Sequence, residues 1–203
     1  MLFSSPPLQL APDVWLLQTY AASAELLAHI QAIEAQAPFR HYAVPGGKSM
    51  SVAMTSCGSL GWTSSKEGYA YLSHDPLSLK AWPAMPADFQ TLAQSAASAA
   101  GWPNFKSDSC LINRYESGAR MGLHQDRDEQ DLSAPIVSVS IGASAKFMIG
   151  GLRRADPVKT IDLHDGDVLV WGGSARLVFH GVRPLQKSKG ESIRYNLTFR
   201  KAG

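Results

Sequence analysis

The chain has 203 residues, 45% of them hydrophobic, and a formal net charge of +2. That length and composition fit one substantial globular domain. They exclude a disordered chain and disfavour a protein that coats long duplexes, which would carry a larger basic excess. No apolar run approaches the roughly 18 residues that span a bilayer. The segment Met1-Leu2-Phe3-Ser4-Ser5-Pro6-Pro7 lacks the basic start and apolar stretch of a secretory signal, so a cytoplasmic location is expected. Two cysteines without CxxC spacing, Cys57 and Cys110, read as buried thiols and not as a zinc or redox pair.

In chain order, Leu26, Leu27, Ile30 and Ile33 recur at helical spacing, which predicts a helix over 23–37 that Pro38 stops. The segment 39–86 is rich in Gly, Ser, Pro and aromatic residues and reads as short strands and loops, a candidate substrate lid. A second helix is expected over 88–100, with Asp88 as N-cap and Gly101 just past its end. From Asp108 onward the pattern is β. Val137, Val139 and Ile141 alternate with Ile136, Ser138 and Ser140. Further strands are expected over 146–149, 158–163, 167–171, 175–182 and 192–200, with a turn at His164-Asp165-Gly166-Asp167. Many short strands after grouped helices predict a mainly β, α+β jelly roll with helices packed on one side.

The polar residues of the second half carry the chemistry. His124 and Asp126 are two apart, so on a strand they share a face. His180 lies 56 residues later and must arrive on another strand. Two imidazoles and one carboxylate can hold three sites of a six-coordinate iron(II) and leave three open. Taken alone, an HxD is a weak signal, and a late histidine is commonly a hydrogen-bonded core residue. His29, His41, His74 and His164 read as surface or structural. The last strand adds weight. Ile193, Tyr195, Leu197 and Phe199 fall on one face; Arg194, Asn196, Thr198 and Arg200 fall on the other. That second face is either solvated or a polar stripe inside the jelly roll. In the latter case Arg194 can clamp a carboxylate bidentately. Arg200, about 20 Å further along a straight strand, makes a separate contact.

The motifs His124-Gln125-Asp126, His180 and Arg194-Tyr195-Asn196-Leu197-Thr198-Phe199-Arg200 resemble those of the AlkB family of iron(II)/2-oxoglutarate dioxygenases, in its bacterial form. The resemblance extends to Leu111-Ile112-Asn113-Arg114-Tyr115, Ala134-Pro135-Ile136-Val137-Ser138, Val170-Trp171-Gly172-Gly173, Ser51-Val52-Ala53-Met54-Thr55 and Leu60-Gly61-Trp62-Thr63. It covers nearly all the chain after Pro38. It implies one dioxygenase domain over 1–203, a double-stranded β-helix over 108–203 and a nucleotide-recognition lid over 39–86. The implied cofactors are Fe(II), 2-oxoglutarate and O2. The implied activity is oxidative demethylation of 1-methyladenine and 3-methylcytosine in DNA, with release of formaldehyde and succinate; the expected partner is alkylated single-stranded DNA, with duplex DNA or RNA left open as the strand. A monomer without membrane contact is expected.

By the same resemblance, His124, Asp126 and His180 hold iron, and Asn113, Tyr115, Arg194, Asn196 and Arg200 contact 2-oxoglutarate. Trp62, Tyr69 and Tyr71 engage the substrate nucleotide, Asp128 the base, and Arg154 the substrate side of the pocket. Lys48 departs from the family, which usually has an aromatic residue after Pro-Gly-Gly. For Trp62 a buried core role competes with stacking on an extracted base, and for Asp128 a solvated charge in the acidic run 126–131 competes with base contact. Two other functions fit the residues less fully. One is the same oxygenase chemistry on RNA or a protein side chain. The other is a non-enzymatic jelly roll that binds a small acid or single-stranded nucleic acid. A zinc hydrolase fits worse, because no obvious general base accompanies the triad.

Overall fold

A computed structural model describes residues 6–187 and 193–203. In chain order the elements are β1 (Leu8–Ala11), β2 (Val14–Leu17), α1 (Ser23–Gln36), β3 (Ala53–Gly58), β4 (Gly61–Ser65), β5 (Gly68–Leu72), α2 (Ala87–Ala99) and β6 (Ser109–Tyr115). They continue with β7 (Met121–His124), β8 (Ile136–Gly142), β9 (Ala145–Ile149), β10 (Lys159–Leu163), β11 (Val168–Trp171), β12 (His180–Val182) and β13 (Arg194–Arg200). A seven-stranded sheet runs β1-β2-β11-β8-β13-β6-β3, a four-stranded sheet runs β10-β9-β12-β7, and β4 and β5 form a separate hairpin.

The expected alternation decides which face of each strand meets which layer. Val137, Val139 and Ile141 pack with Leu197 and Phe199 against Leu26, Ile30 and Ile33 of α1 and Phe89 and Ala93 of α2. Both helices therefore cover the outer face of the larger sheet. The opposite face joins the smaller sheet in a second cluster that includes Leu111, Ile136, Phe147, Ile149, Leu169 and Trp171. The stripe Arg194, Asn196, Thr198 and Arg200 is buried with this inner face and not solvated. This two-sheet arrangement is the jelly roll, or double-stranded β-helix, that the pattern predicts. Among the described residues, no helix is long and apolar enough to cross a membrane.

Several local expectations need correction. Asp88 is not the N-cap of α2. Pro86 occupies that position, and no side chain caps it. Asp88 sits in the first turn, where its charge suits the helix dipole, and its carboxylate pairs with His29 Nε2 at 2.7 Å. The C-terminus follows expectation. Gly101 has φ +103°, Trp102 N–H donates to the Ala97 carbonyl and Gly101 N–H to Ser98, which is a Schellman closure. The expected strand over 175–182 shrinks to β12, preceded by a 3-10 turn at Gly173–Ala175. His180 thus opens its strand and does not end one. Arg176, between that turn and the strand, is buried, and its Nε donates to the Ala134 carbonyl. Ser192, the expected start of the last strand, lies outside the described residues. The hairpin β1–β2, for which the sequence shows no clear pattern, extends the larger sheet by pairing β2 with β11. From the segment 39–86, β3 joins the larger sheet beside β6, whereas the hairpin β4–β5 stands apart from it.

Candidate metal centre and substrate cavity

The register of β7 and β12 places His180 directly opposite His124. Asp126 follows β7 and turns its carboxylate toward both. Oδ1 of Asp126 lies 3.5 Å from His124 Nε2 and 3.8 Å from His180 Nε2. One ligand atom from each of the three lies within 4.8 Å of the others, close enough for a single ion to touch all three. The protons are already assigned. His124 Nδ1 donates to the Gly122 carbonyl at 2.9 Å and His180 Nδ1 donates to the Val178 carbonyl at 3.0 Å. A carbonyl can only accept, so each Nε2 keeps its lone pair for a metal.

Electrostatics reinforce the donor set. Burial pushes the Asp126 carboxyl up, but Arg200 and the two imidazoles outweigh this and hold it well below the usual range. Burial, then the charge of His124, takes His180 down to about 4, so its imidazole is neutral near pH 7. Burial also opposes protonation of His124, yet the Asp126 carboxylate beside its Nε2 raises it overall. Arg200 donates to Asp126 Oδ2 from Nη2 at 2.6 Å and Nε at 3.0 Å. That bidentate grip leaves Oδ1 for the ion.

Behind the triad, a cavity of about 50 Å³ runs between the sheets. Asn113, Tyr115, Ser138, Asn196, Thr198 and Arg200 line it. Asn196 Nδ2 donates to Ser138 Oγ at 2.7 Å, and Thr198 Oγ1 donates to Asn196 Oδ1 at 2.9 Å. Arg194, across the register from Tyr115, is 1% exposed. Its Nη2 donates to Ser140 Oγ at 3.0 Å, but its Nε and Nη1 have no partner, and neither has Arg200 Nη1. Among the described residues no carboxylate pairs with Arg194 within 4 Å. Burial lowers its proton affinity, partly offset by Tyr115 and Asp167. A buried guanidinium with two idle N–H groups is costly unless an anion completes it. The residues present therefore fit a carboxylate of a small dianion beside a two-histidine, one-carboxylate metal.

In front of the triad, a cavity of about 470 Å³ reaches His124 and Asp126 and is also lined by Trp62, Tyr69, Asp128 and Arg154. Trp62 Nε1 donates to Asp128 Oδ2 at 3.2 Å, and Tyr69 stacks on the indole with ring centres 5.5 Å apart. Arg154 Nη1 donates to the Leu123 carbonyl at 2.8 Å and the guanidinium lies over Phe179. Tyr71 is paired with Trp62 across the hairpin and points to Glu129, a residue that lines the same cavity. Its hydroxyl donates to Glu129 Oε1 at 2.7 Å. Lys48 is exposed beside the turn at Gly46 and Gly47, and its carbonyl accepts from the Val44 N–H at 2.9 Å.

Sequence reasoning passed over Glu129 and Arg176, a buried ion pair at 3.0 Å. Glu129 sits in an acidic run that reads as solvated, and nothing near Arg176 marks it as buried. Ser138 and Ser140 were legible as a polar face of β8, and their neighbourhood to Asn196 and Arg194 follows once β8 and β13 pair.

Comparisons with known proteins agree with this geometry. The family profile described as 2OG-Fe(II) oxygenase superfamily matches residues 13–200. "Alpha-ketoglutarate-dependent dioxygenase AlkB" of Escherichia coli (strain K12) is 52% identical over 199 residues, covering 96% of this chain and 92% of that protein. "Nucleic acid dioxygenase ALKBH1" of Homo sapiens is 36% identical over 109 residues, covering 53% of this chain and 28% of that protein. Among solved structures, OsALKBH1 superimposes with a TM-score of 0.83 at 28% identity, covering 97% of this chain and 100% of that one.

Proposed function

The chain belongs to the AlkB family of iron(II)- and 2-oxoglutarate-dependent dioxygenases, and from that premise we propose that it demethylates 1-methyladenine and 3-methylcytosine in single-stranded DNA, reversing alkylation damage directly. One observation carries the reading: the same 470 Å³ cavity joins two of the metal donors to an indole, a phenol and the Asp128 carboxylate. That combination suits a flat, cationic ring. Bound together, iron(II), 2-oxoglutarate and O2 supply an oxidant able to take hydrogen from an N-methyl group, with succinate and carbon dioxide as co-products.

The chain's own residues bind, orient and shield. His124, Asp126 and His180 hold iron(II). Arg194 receives one carboxylate of 2-oxoglutarate through its idle N–H groups. Tyr115, Asn113 and Asn196 flank the co-substrate, and Arg200 keeps Asp126 turned to the ion. A methyl group on the Watson–Crick edge cannot be reached inside a duplex, so the base must leave the stack. Trp62 stacks on it, with Tyr69 moving aside or packing on the flanking nucleotide, and His124 closes the opposite face. Asp128 accepts from the exocyclic amino group and favours a methylated, positively charged ring over the neutral base. Arg154 borders the substrate side. Tyr71 acts through Glu129, holding the hairpin β4–β5 to the loop that carries Asp126. Outside β3, which belongs to the larger sheet, the segment 39–86 thereby serves as the nucleotide-recognition lid, and exposed Lys48 meets the phosphate backbone as a point charge where relatives present a ring.

A side-by-side product assay tests this proposal. Methylated single-stranded DNA, duplex DNA, RNA and an N-methylated peptide are incubated with iron(II) and 2-oxoglutarate, and formaldehyde is measured. The proposal expects iron-dependent formaldehyde from single-stranded DNA, abolished by His180→Ala. Release from the peptide and none from nucleic acid would assign the chemistry to another substrate, and higher turnover on RNA would move the preferred strand from DNA to RNA.

A further inference from the structure

The three donors come from two segments, 124–126 and the stretch that leads into β12. One buried side chain spans both. Arg176 is 4% exposed and lies four residues before His180. Its Nη1 donates to the backbone carbonyl of Asp126 at 2.6 Å, its Nε to the carbonyl of Ala134 at 2.9 Å, and its Nη2 to Glu129 Oε2 at 3.0 Å. Its neighbour Leu177 offers a carbonyl to Gln125 Nε2 at 2.6 Å. The peptide around Asp126 is therefore sewn to the approach of His180 from both sides.

The charges continue the connection to the carboxylate itself. Glu129 meets Arg176 through Oε2 and Arg200 Nε through Oε1 at 3.2 Å. Arg200 in turn grips Asp126 Oδ2. Four ionised groups thus alternate in sign from Arg176 through Glu129 and Arg200 to Asp126. Removing the first cation leaves Glu129 with the Tyr71 hydroxyl and Arg200, and Arg200 is then its one charged partner among the described residues. A buried carboxylate in that state draws Arg200 toward itself, and Asp126 loses the bidentate grip that aims Oδ1.

We propose that Arg176 is a positioning residue of the iron site: it fixes the backbone at Asp126 and, through Glu129, holds Arg200 where it orients the Asp126 carboxylate. The proposal rests on reading His124, Asp126 and His180 as the iron ligands. A role limited to cross-linking the loop 126–134 would cost stability alone. The two are separable, because groups that orient metal ligands typically change metal affinity by about 10- to 100-fold.

The test uses the full chain without oxygen. Iron(II) affinity is read from tryptophan quenching, and the charge-transfer absorbance of the iron–2-oxoglutarate complex reports its geometry. Apo-protein melting is measured in parallel. Arg176→Lys keeps the charge but replaces the planar fork, which reaches three separate acceptors, by a single compact ammonium. It is expected to weaken iron(II) binding by about 10- to 100-fold and to shift the absorbance band. Arg176→Met should weaken it further, and adding Glu129→Gln should recover most of that extra loss, because no unpaired carboxylate then competes for Arg200. Phe89→Leu, in the helix-side core, supplies a destabilised control that should bind iron as the wild type does. Wild-type affinity and an unshifted band in Arg176→Lys would overturn the proposal, as would equal weakening by Phe89→Leu at matched loss of melting temperature. Failure of the wild-type chain to bind iron would overturn the ligand assignment beneath it.

Discussion

Arg194→Met separates a residue kept for a ligand from one kept for the fold. Arg194 is buried, its side chain makes one hydrogen bond among the described residues, to Ser140, and its Nε and Nη1 have no partner. Replacing it by an apolar side chain of similar length removes the cost of burying a charge, and such replacements are neutral or stabilising by about 1–4 kcal/mol. Loss of the Ser140 bond offsets about 1 kcal/mol of that gain. The apo variant should therefore lie between about 1 kcal/mol less and about 3 kcal/mol more stable than wild type, or between roughly 4 °C lower and 12 °C higher in Tm at about 2–4 °C per kcal/mol. Binding of 2-oxoglutarate should suffer in the opposite direction. Truncating one partner of a buried, hydrogen-bonded charge pair costs about 2–5 kcal/mol, or roughly 30- to 5,000-fold in affinity. At 2-oxoglutarate concentrations near 100 times its dissociation constant, wild type should gain about 2.7 kcal/mol. The variant should gain less than about 0.9 kcal/mol. Melting curves of both proteins, with a redox-inert divalent metal and with and without 2-oxoglutarate, measure all four states. An apo variant that melts well below wild type yet keeps the ligand-induced rise would refute the reasoning.

Three further outcomes follow from the same geometry. Trp62→Ala should raise KM for a methylated oligonucleotide by about 5- to 150-fold, the equivalent of about 1–3 kcal/mol of stacking, while 2-oxoglutarate binding stays intact; an unchanged KM would return Trp62 to a packing role. Asp128→Ala should lower demethylation more than uncoupled 2-oxoglutarate turnover, and equal loss of both in paired formaldehyde and succinate assays would remove its contact with the base. The hydrogen bonds from Arg40 hold the Asp75 carboxyl, opposed by its burial, down to about 2. Because this folded-state value lies below the unfolded one, the contribution, about 2 kcal/mol, is complete above pH 4 and is lost as pH falls toward 2. Urea midpoints of wild type should drop across that interval, and Asp75→Asn should flatten that part of the profile.

Much of the site was legible because strands alternate. Ile136 to Ile141 and Arg194 to Arg200 each divide cleanly into two faces, and the sheet order turns those faces toward helices or toward the metal. The ligand triad was legible because His124 and Asp126 keep a two-residue spacing and His180 follows an apolar run. What stayed hidden depends on partners far apart in the chain. Arg176 and Glu129 are 47 residues apart, and each alone reads as a solvated charge; burial becomes affordable only when the fold brings them to 3.0 Å. Tyr71 shows the same limit. Its place on the hairpin marks it as a candidate for substrate contact, yet Glu129 captures its hydroxyl. Asp88 carries the usual chemistry of an N-cap, but Pro86 already breaks the chain into the helix two residues earlier. The strand β1 alternates poorly because it lies at the edge of its sheet, with Leu8 half exposed.

The central claim is spatial, and a crystal structure of the anaerobic iron(II)–2-oxoglutarate complex addresses it directly. The account predicts one iron bonded to His124 Nε2, Asp126 Oδ1 and His180 Nε2, with a 2-oxoglutarate carboxylate within hydrogen-bond distance of Arg194 Nε and Nη1. Iron bound by another set of residues, or an Arg194 guanidinium that no carboxylate meets, would contradict it.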